Sequence, residues 1–320
     1  MNLNIKHNEG DRLFLMILSK SLRELLKIGA SDRKAIECNN VISNLMLANL
    51  YNIGVKWNDK QLVLQDREKA AEIYMKISEY DPFGVCFWEL GRFYENQLID
   101  SAKSLSLPEC LIVARKYYEK SAKKGYAKAY NSLGNFTYFG YGGEEKNIAK
   151  ALEYYKIAAD YGDIYAIMNL GLINMEQYYA TPSRKEYLEE AGKYFIKTSL
   201  YNNSEGLLQL GIIYEIKTND DIKYLNKAKE YYIRAILTVK NQYSAVAYYK
   251  LGKLINNNSV LKKDNDIIMV LGHRQHQNLA IECFNRSYET FQALDLNYGK
   301  LEGMYRDCYM ELKYMLNSQV

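Results

Sequence analysis

Proline is nearly absent, three residues in a chain of 320, so little in the sequence interrupts a helix. The five cysteines, Cys38, Cys86, Cys110, Cys283 and Cys308, are odd in number and contain no CxxC pair. That excludes a complete disulfide framework, argues against structural zinc and fits a reducing compartment. No stretch approaches the roughly 18 to 20 apolar residues of a membrane span. The polar opening Met1 to Gly10 leads only to the short run Leu13 to Leu18, too short for the core of a secretory signal. These absences together predict a cytoplasmic protein. Formal net charge is +4, well below the basic excess of a dedicated nucleic-acid domain.

The marks of catalysis are missing as well. Gly140, Gly142 and Gly143 have no strand before them and no Gly-Lys-Ser/Thr after them, so they are read as a turn that uses positive φ and not as a phosphate loop. His273 and His276 stand at HxxH spacing with Cys283 downstream, but no HExxH motif or second ligand pair completes a metal site of about four ligands. Carboxylates are scattered rather than paired in apolar surroundings. The densest basic run is Arg115, Lys116, Lys120, Lys123, Lys124 and Lys128, interrupted by Glu119; it reads as a solvated helix face ahead of a phosphate-backbone contact. The expectation is a non-enzyme with no metal and no cofactor.

What the chain does have is tyrosine, 31 residues, within a composition that is 48% hydrophobic and 25% charged. It also has a repeat, which is sought before local structure because a missed period misassigns the fold. Leu-Gly recurs at Leu90-Gly91, Leu133-Gly134, Leu170-Gly171, Leu210-Gly211 and Leu251-Gly252, in steps of 43, 37, 40 and 41 residues, and Leu47-Ala48 extends the series backward. Four residues before each leucine sits Ser43, Cys86, Ala129, Ala166, Gly206 or Ala247. That spacing places both on one helix face, where a small residue allows close helix approach. Downstream comes Ala-x-x-x-aromatic: Ala70 and Tyr74, Ala114 and Tyr118, Ala151 and Tyr155, Ala191 and Phe195, Ala228 and Tyr232, Ala280 and Phe284. Each unit reads as a helix A carrying Leu-Gly, a turn, and a helix B carrying the aromatic.

The pattern resembles the Sel1-like repeat family, relatives of tetratricopeptide repeats. Ala129 to Gly162 carries the resemblance best, with Lys150-Ala151, Tyr154-Tyr155, Ala158-Ala159 and Gly162 in register. Lys227-Ala228, Tyr231-Tyr232 and Ala235 repeat much of that signature, whereas the first unit has Ala48 for the glycine and the last step, Ala228 to Ala280, is longer. The expected fold is all-α: a right-handed α/α superhelical solenoid of about six such hairpins over residues 31–290. Leu15, Leu18, Leu22, Leu25 and Leu26 predict an N-terminal capping helix within 1–30, and Leu301, Tyr305, Cys308, Leu312 and Met315 a C-terminal one within 291–320. Gln97 to Cys110 and Asn256 to Asn278 read as insertions.

In stacked hairpins the A helices line the concave face. Residues two before and two after each leucine are therefore the candidate partner-binding set: Trp88, Arg92, Asn131, Asn135, Met168, Leu208, Tyr249 and Lys253, with Leu172 and Ile212 between them. Trp88 and Tyr249 would anchor a peptide and the two asparagines would bond its backbone. The apolar members carry an equal alternative as core, because a groove and a packed face share one period. The function expected from the resemblance is a protein-interaction scaffold or adaptor. The alternative is a peptide- or ligand-sensing regulator whose curvature changes on binding.

Overall fold

The computed structural model describes residues 41–57, 60–218, 221–271, 279–293 and residue 310. The two expected capping helices, His273, His276, Cys38 and Cys308 lie outside these residues. The chain divides into two compact units, residues 1–166 and 167–320.

In the first unit α1 (Val41–Ile53) pairs with α2 (Arg67–Ile77), α3 (Val85–Glu95) with α5 (Leu107–Lys123), and α6 (Ala127–Phe139) with α7 (Ile148–Asp160). In the second, α8 (Ile164–Ala180), whose first turn belongs to the first unit, is followed by α9 (Lys185–Ser199). There α10 (Ser204–Thr218) pairs with α11 (Leu225–Leu237), and α12 (Gln242–Asn257) with α14 (Leu279–Ala293). The described residues thus hold the six hairpins that the repeat spacing predicts. Among the described residues the one departure from helix is a small antiparallel pair in the first A-to-B turn, β1 (Val55–Trp57) with β2 (Lys60–Val63). Val55-Lys56-Trp57 alternates apolar and polar residues with the strand period.

A repeated contact explains the two signatures. In five hairpins the glycine after the repeat leucine lies against the aromatic ring of helix B. A Cβ at Gly91 would stand 2.6 Å from Tyr118, at Gly134 2.6 Å from Tyr155, at Gly171 2.5 Å from Phe195, at Gly211 2.4 Å from Tyr232 and at Gly252 3.0 Å from Phe284. In the first hairpin Ala48 and Tyr74 are fully buried in one core cluster. The alanine one turn before each aromatic is buried in all six, so each A helix meets its B helix at backbone distance. Tyrosine at this position needs an acceptor for its buried hydroxyl. Tyr74 donates to Asn49 Oδ1 at 2.6 Å and Tyr155 to Asn135 Oδ1 at 2.7 Å. Tyr118 and Tyr232 donate to the carboxylates of Glu95 and Glu215. Where the ring is Phe195, the position equivalent to Glu95 and Glu215 holds buried Met175.

Helix starts follow a second rule. Asp81, Asp163, Asn203 and Asn241 accept backbone N–H groups of Cys86 (2.8 Å), Ala166 (2.8 Å), Gly206 (2.9 Å) and Ser244 (3.0 Å) at the openings of α3, α8, α10 and α12. These side chains satisfy donors that a helix leaves without an intrahelical partner. Gly140, Gly142 and Gly143 take φ of 75°, 63° and 80° in the turn between α6 and α7, the turn role expected of them.

The two insertions are folded into the core. Between Gln97 and Cys110 the short α4 (Asp100–Lys103) buries Ile99 and Ala102 against the second hairpin. Between Asn256 and Leu271 a 3-10 turn (Ser259–Lys263) and α13 (Asn265–Leu271) bury Leu261, Ile267 and Leu271. No helix among the described residues is long and apolar enough to cross a membrane.

Candidate partner-binding surface

The sequence-derived set separates by burial. Met168, Leu208 and Tyr249 are 3%, 4% and 8% exposed. Leu208 and Tyr249 share one core cluster and Met168 lies in another. Met168 and Leu208 take the packing alternative that their period left open, and Tyr249, expected to anchor a peptide, is corrected to a core residue. The physical reason lies in what covers them: Tyr249 packs on the aromatic ring of its own helix B, and the Met168 methyl would lie 3.3 Å from a Cβ at Gly206 of the next A helix. Tyr249 also sets its ring 5.7 Å from that of Phe284, and Lys253 Nζ lies 5.7 Å from the Tyr249 ring. Leu172, Ile212 and Lys253 are half-buried.

Trp88, Arg92, Asn131 and Asn135 are half-buried on α3 and α6 of the first unit. Around Trp88 the structure builds a defined surface. The indole Nε1 donates to Ser132 Oγ at 3.1 Å, and Tyr126 meets the ring edge-on at 5.6 Å between centroids. Two cations approach the same ring, the Arg92 guanidinium at 5.0 Å and Lys128 Nζ at 5.0 Å, a distance at which the ring quadrupole attracts positive charge. Arg92 Nη1 also donates to Glu89 Oε2 at 3.0 Å, and Asn52 Nδ2 of α1 reaches the same oxygen at 3.4 Å. Asn135 does not face the surface alone, since its Oδ1 holds the Tyr155 hydroxyl.

Sequence reasoning missed Glu89, Ser132 and Asn52, and read Lys128 only as the end of the basic run. The signal was present: the residue immediately before the repeat leucine is polar in five units, Glu89, Ser132, Asn169, Gln209 and Lys250. At Glu89 and Ser132 that residue bonds the preceding A helix, and Lys250 does so through Glu215 at 3.8 Å.

Electrostatics follow burial. Glu89 is 8% exposed, and desolvation raises its pKa against the opposing pull of Arg92 and Lys128. Burial, then the nearby Glu89, Asp163 and Asp81, push Tyr126 up to about 12. Burial also raises Asp163 although it caps α8. The basic run is divided among separate tasks. Arg115 Nη1 donates to Glu144 at 2.8 Å, and Lys124 Nζ donates to the carbonyl oxygens of Ser78 (3.1 Å), Glu79 (2.9 Å) and Asp81 (2.7 Å) beyond α2. These cations are engaged within the fold. Among the described residues no group of three or more His, Cys, Asp or Glu is placed to hold a metal ion.

No family model matches the chain. Two solved structures share its fold. A Sel1 repeat protein from Oxalobacter formigenes superposes with a TM-score of 0.61 at 21% identity, covering 88% of this chain and 99% of that one. A protective antigen present in uropathogenic Escherichia coli strains and displaying an SLR fold gives 0.57 at 19% identity, covering 88% of this chain. The match spans 57% of the antigen's length. The likeness is one of fold, and the chain has the Sel1-like repeat fold.

Proposed function

We propose that the chain is a non-catalytic protein-interaction scaffold or adaptor that takes a protein or peptide segment against the A-helix face of its first unit. The observation that carries this reading is Trp88. Aromatic side chains that serve the hairpins, such as Tyr118 and Phe136, are fully buried, whereas Trp88 is only partly buried, with its N–H fixed and two cations at its ring. A rigid, partly exposed tryptophan flanked by arginine is the type of group that dominates protein interfaces. Asn131 and Asn135 on the next A helix extend the surface with carboxamides suited to a peptide backbone. The Sel1 repeat fold of the two solved structures supports the same reading by analogy. The buried free thiols of Cys86, Cys110 and Cys283 fit a reducing compartment, and the cytoplasm is the proposed location.

Affinity capture from native extract tests the proposal with three baits: wild type, Trp88→Glu with Asn131→Ala, and Arg92→Glu with Lys128→Glu. Each bait must first give an unchanged circular dichroism spectrum. A protein retained by wild type and lost from both variants is the expected result. Equal retention by all three overturns the assignment of this face.

A further inference from the structure

We infer that the second unit carries a docking edge for an anionic phospholipid surface, built from the turn between α9 and α10 and the turn between α11 and α12. Each turn ends a B helix on large apolar side chains left outside the core. Leu200 and Tyr201 are 78% and 63% exposed, Leu237 and Val239 65% and 66%. Asn241 Nδ2 donates to Ser204 Oγ at 2.9 Å, which holds the two turns side by side, so the four side chains belong to one edge. Ile196, one helical turn before Leu200, is exposed with them. None of the five joins a hydrophobic core of the unit.

Charge selects the partner. Lys197 precedes Leu200 by three residues, Arg234 precedes Leu237 by three, and Lys240 follows Val239; Lys197 and Lys240 are exposed. Residues 196–204 and 234–244 hold these three cations and no carboxylate. Glu205, at the second position of α10, is half-buried and accepts a hydrogen bond from Tyr243. In the first unit two turns of the same kind also expose aromatics, Tyr80 with Phe83 and Tyr161 with Tyr165. Those turns carry Glu79 with Asp81 and Asp160 with Asp163. The fold does not require the difference. Asp81, Asp163, Asn203 and Asn241 all accept backbone N–H groups at helix starts, a task that either side-chain oxygen performs. The second unit does it with the uncharged residue.

The chemistry of the edge fits a headgroup layer. Leucine and valine at turn tips can enter the boundary between headgroups and acyl chains, and tyrosine, apolar in its ring and polar at its tip, suits the headgroup level. Lysine reaches anionic lipid from the end of a flexible apolar stem. A backbone placed in such a layer must satisfy its own donors. Here the N–H groups of Tyr201, Asn202 and Asn203 donate to the carbonyl oxygens of Thr198, Ser199 and Thr198, and Asn241 Oδ1 accepts those of Tyr243 and Ser244. The edge is independent of the Trp88 surface, which belongs to the first unit.

Vesicle flotation of the full chain tests this, using phosphatidylcholine vesicles with and without about 30 mol% phosphatidylserine, at about 0.1 M and about 0.5 M salt. The variants are Leu200→Gln with Leu237→Gln, Lys197→Gln with Lys240→Gln, and the control Val260→Gln, at an exposed apolar residue beyond the C-terminal end of α12. All substitutions are at exposed positions, and an unchanged circular dichroism spectrum reports that each variant folds. The expected result is that wild type and the control float with the phosphatidylserine vesicles at low salt. Omitting phosphatidylserine, raising the salt or introducing either double variant should weaken binding at least about tenfold. Wild type that binds neither vesicle overturns the inference, as does equal binding to both. So does binding that the double variants retain, or that the control loses to the same extent. Wild type that floats with no vesicle yet has twice the chain mass in solution, reduced to one by Leu200→Gln with Leu237→Gln, overturns it by making a second copy the occupant.

Discussion

Glu89 illustrates how one side chain serves both the fold and the proposed surface. It sits one residue before the repeat leucine, receives hydrogen bonds from Asn52 of the previous A helix and Arg92 of its own, and so orients the guanidinium that lies beside Trp88. Its burial raises its pKa above the ordinary glutamate value of 4.5. Between that value and the folded one the native state binds a proton that the unfolded chain has lost, so stability falls as pH rises through the window just above 4.5. Glu89→Gln keeps the neutral form at every pH. Urea denaturation at a series of pH values from about 4 to 8 should therefore show a shallower decline for the variant, with Asp163 and Glu205, also raised by burial, retaining part of the slope. Parallel pH profiles for the two proteins would mean that Glu89 is ionised in the fold without cost.

At the scale of elements, the insertion before α14 shows how an added segment becomes part of a repeat. Lys229 of α11 places Nζ 2.9 Å from Asp264 and 2.9 Å from Asp266, tying α13 back onto the hairpin before it. Lys229 and Asp264 side chains are 11% and 17% exposed, Asp266 is 68% exposed, so the bond to Asp264 carries most of the effect. Asp264 also accepts the N–H groups of Asp266 and Ile267 at the start of α13. Lys229→Met keeps the aliphatic stem and removes the charge, leaving a half-buried carboxylate without its cation. The expected cost is about 1.5–3 kcal/mol in chemical denaturation, with faster amide exchange confined first to α13. A loss below about 0.5 kcal/mol, typical of an exposed ion pair, would show that α13 is held by Ile267 and Leu271 alone.

Across the whole molecule, the legible part of the sequence was the part with a period. Leu-Gly and Ala-x-x-x-aromatic lie in register because glycine and ring occupy the same contact in successive hairpins, so counting residues found all six. Helix starts were equally readable in principle, since Asp163, Asn203 and Asn241 each stand immediately before their helix and Asp81 four residues ahead of α3. The surface was less legible because helical periodicity reports a face without reporting what covers it: Trp88 and Tyr249 occupy the same repeat position, yet one is partly buried and the other is core. The glycine contact leads to a prediction about the repeat array. Alanine at Gly134 or Gly211 would set a methyl 2.6 or 2.4 Å from a buried tyrosine ring, overpacking that costs roughly 1–3 kcal/mol. In a chain of stacked repeats each hairpin rests mainly on its neighbours, so the loss is local before it is global. Native-state hydrogen exchange should therefore show Gly134→Ala loosening α6 and α7 with little change in α10 and α11, and Gly211→Ala the reverse. If each variant instead lowered protection equally from α2 to α14, the six hairpins would be unfolding as one cooperative body, and nearest-neighbour packing would not be the principle that holds the array.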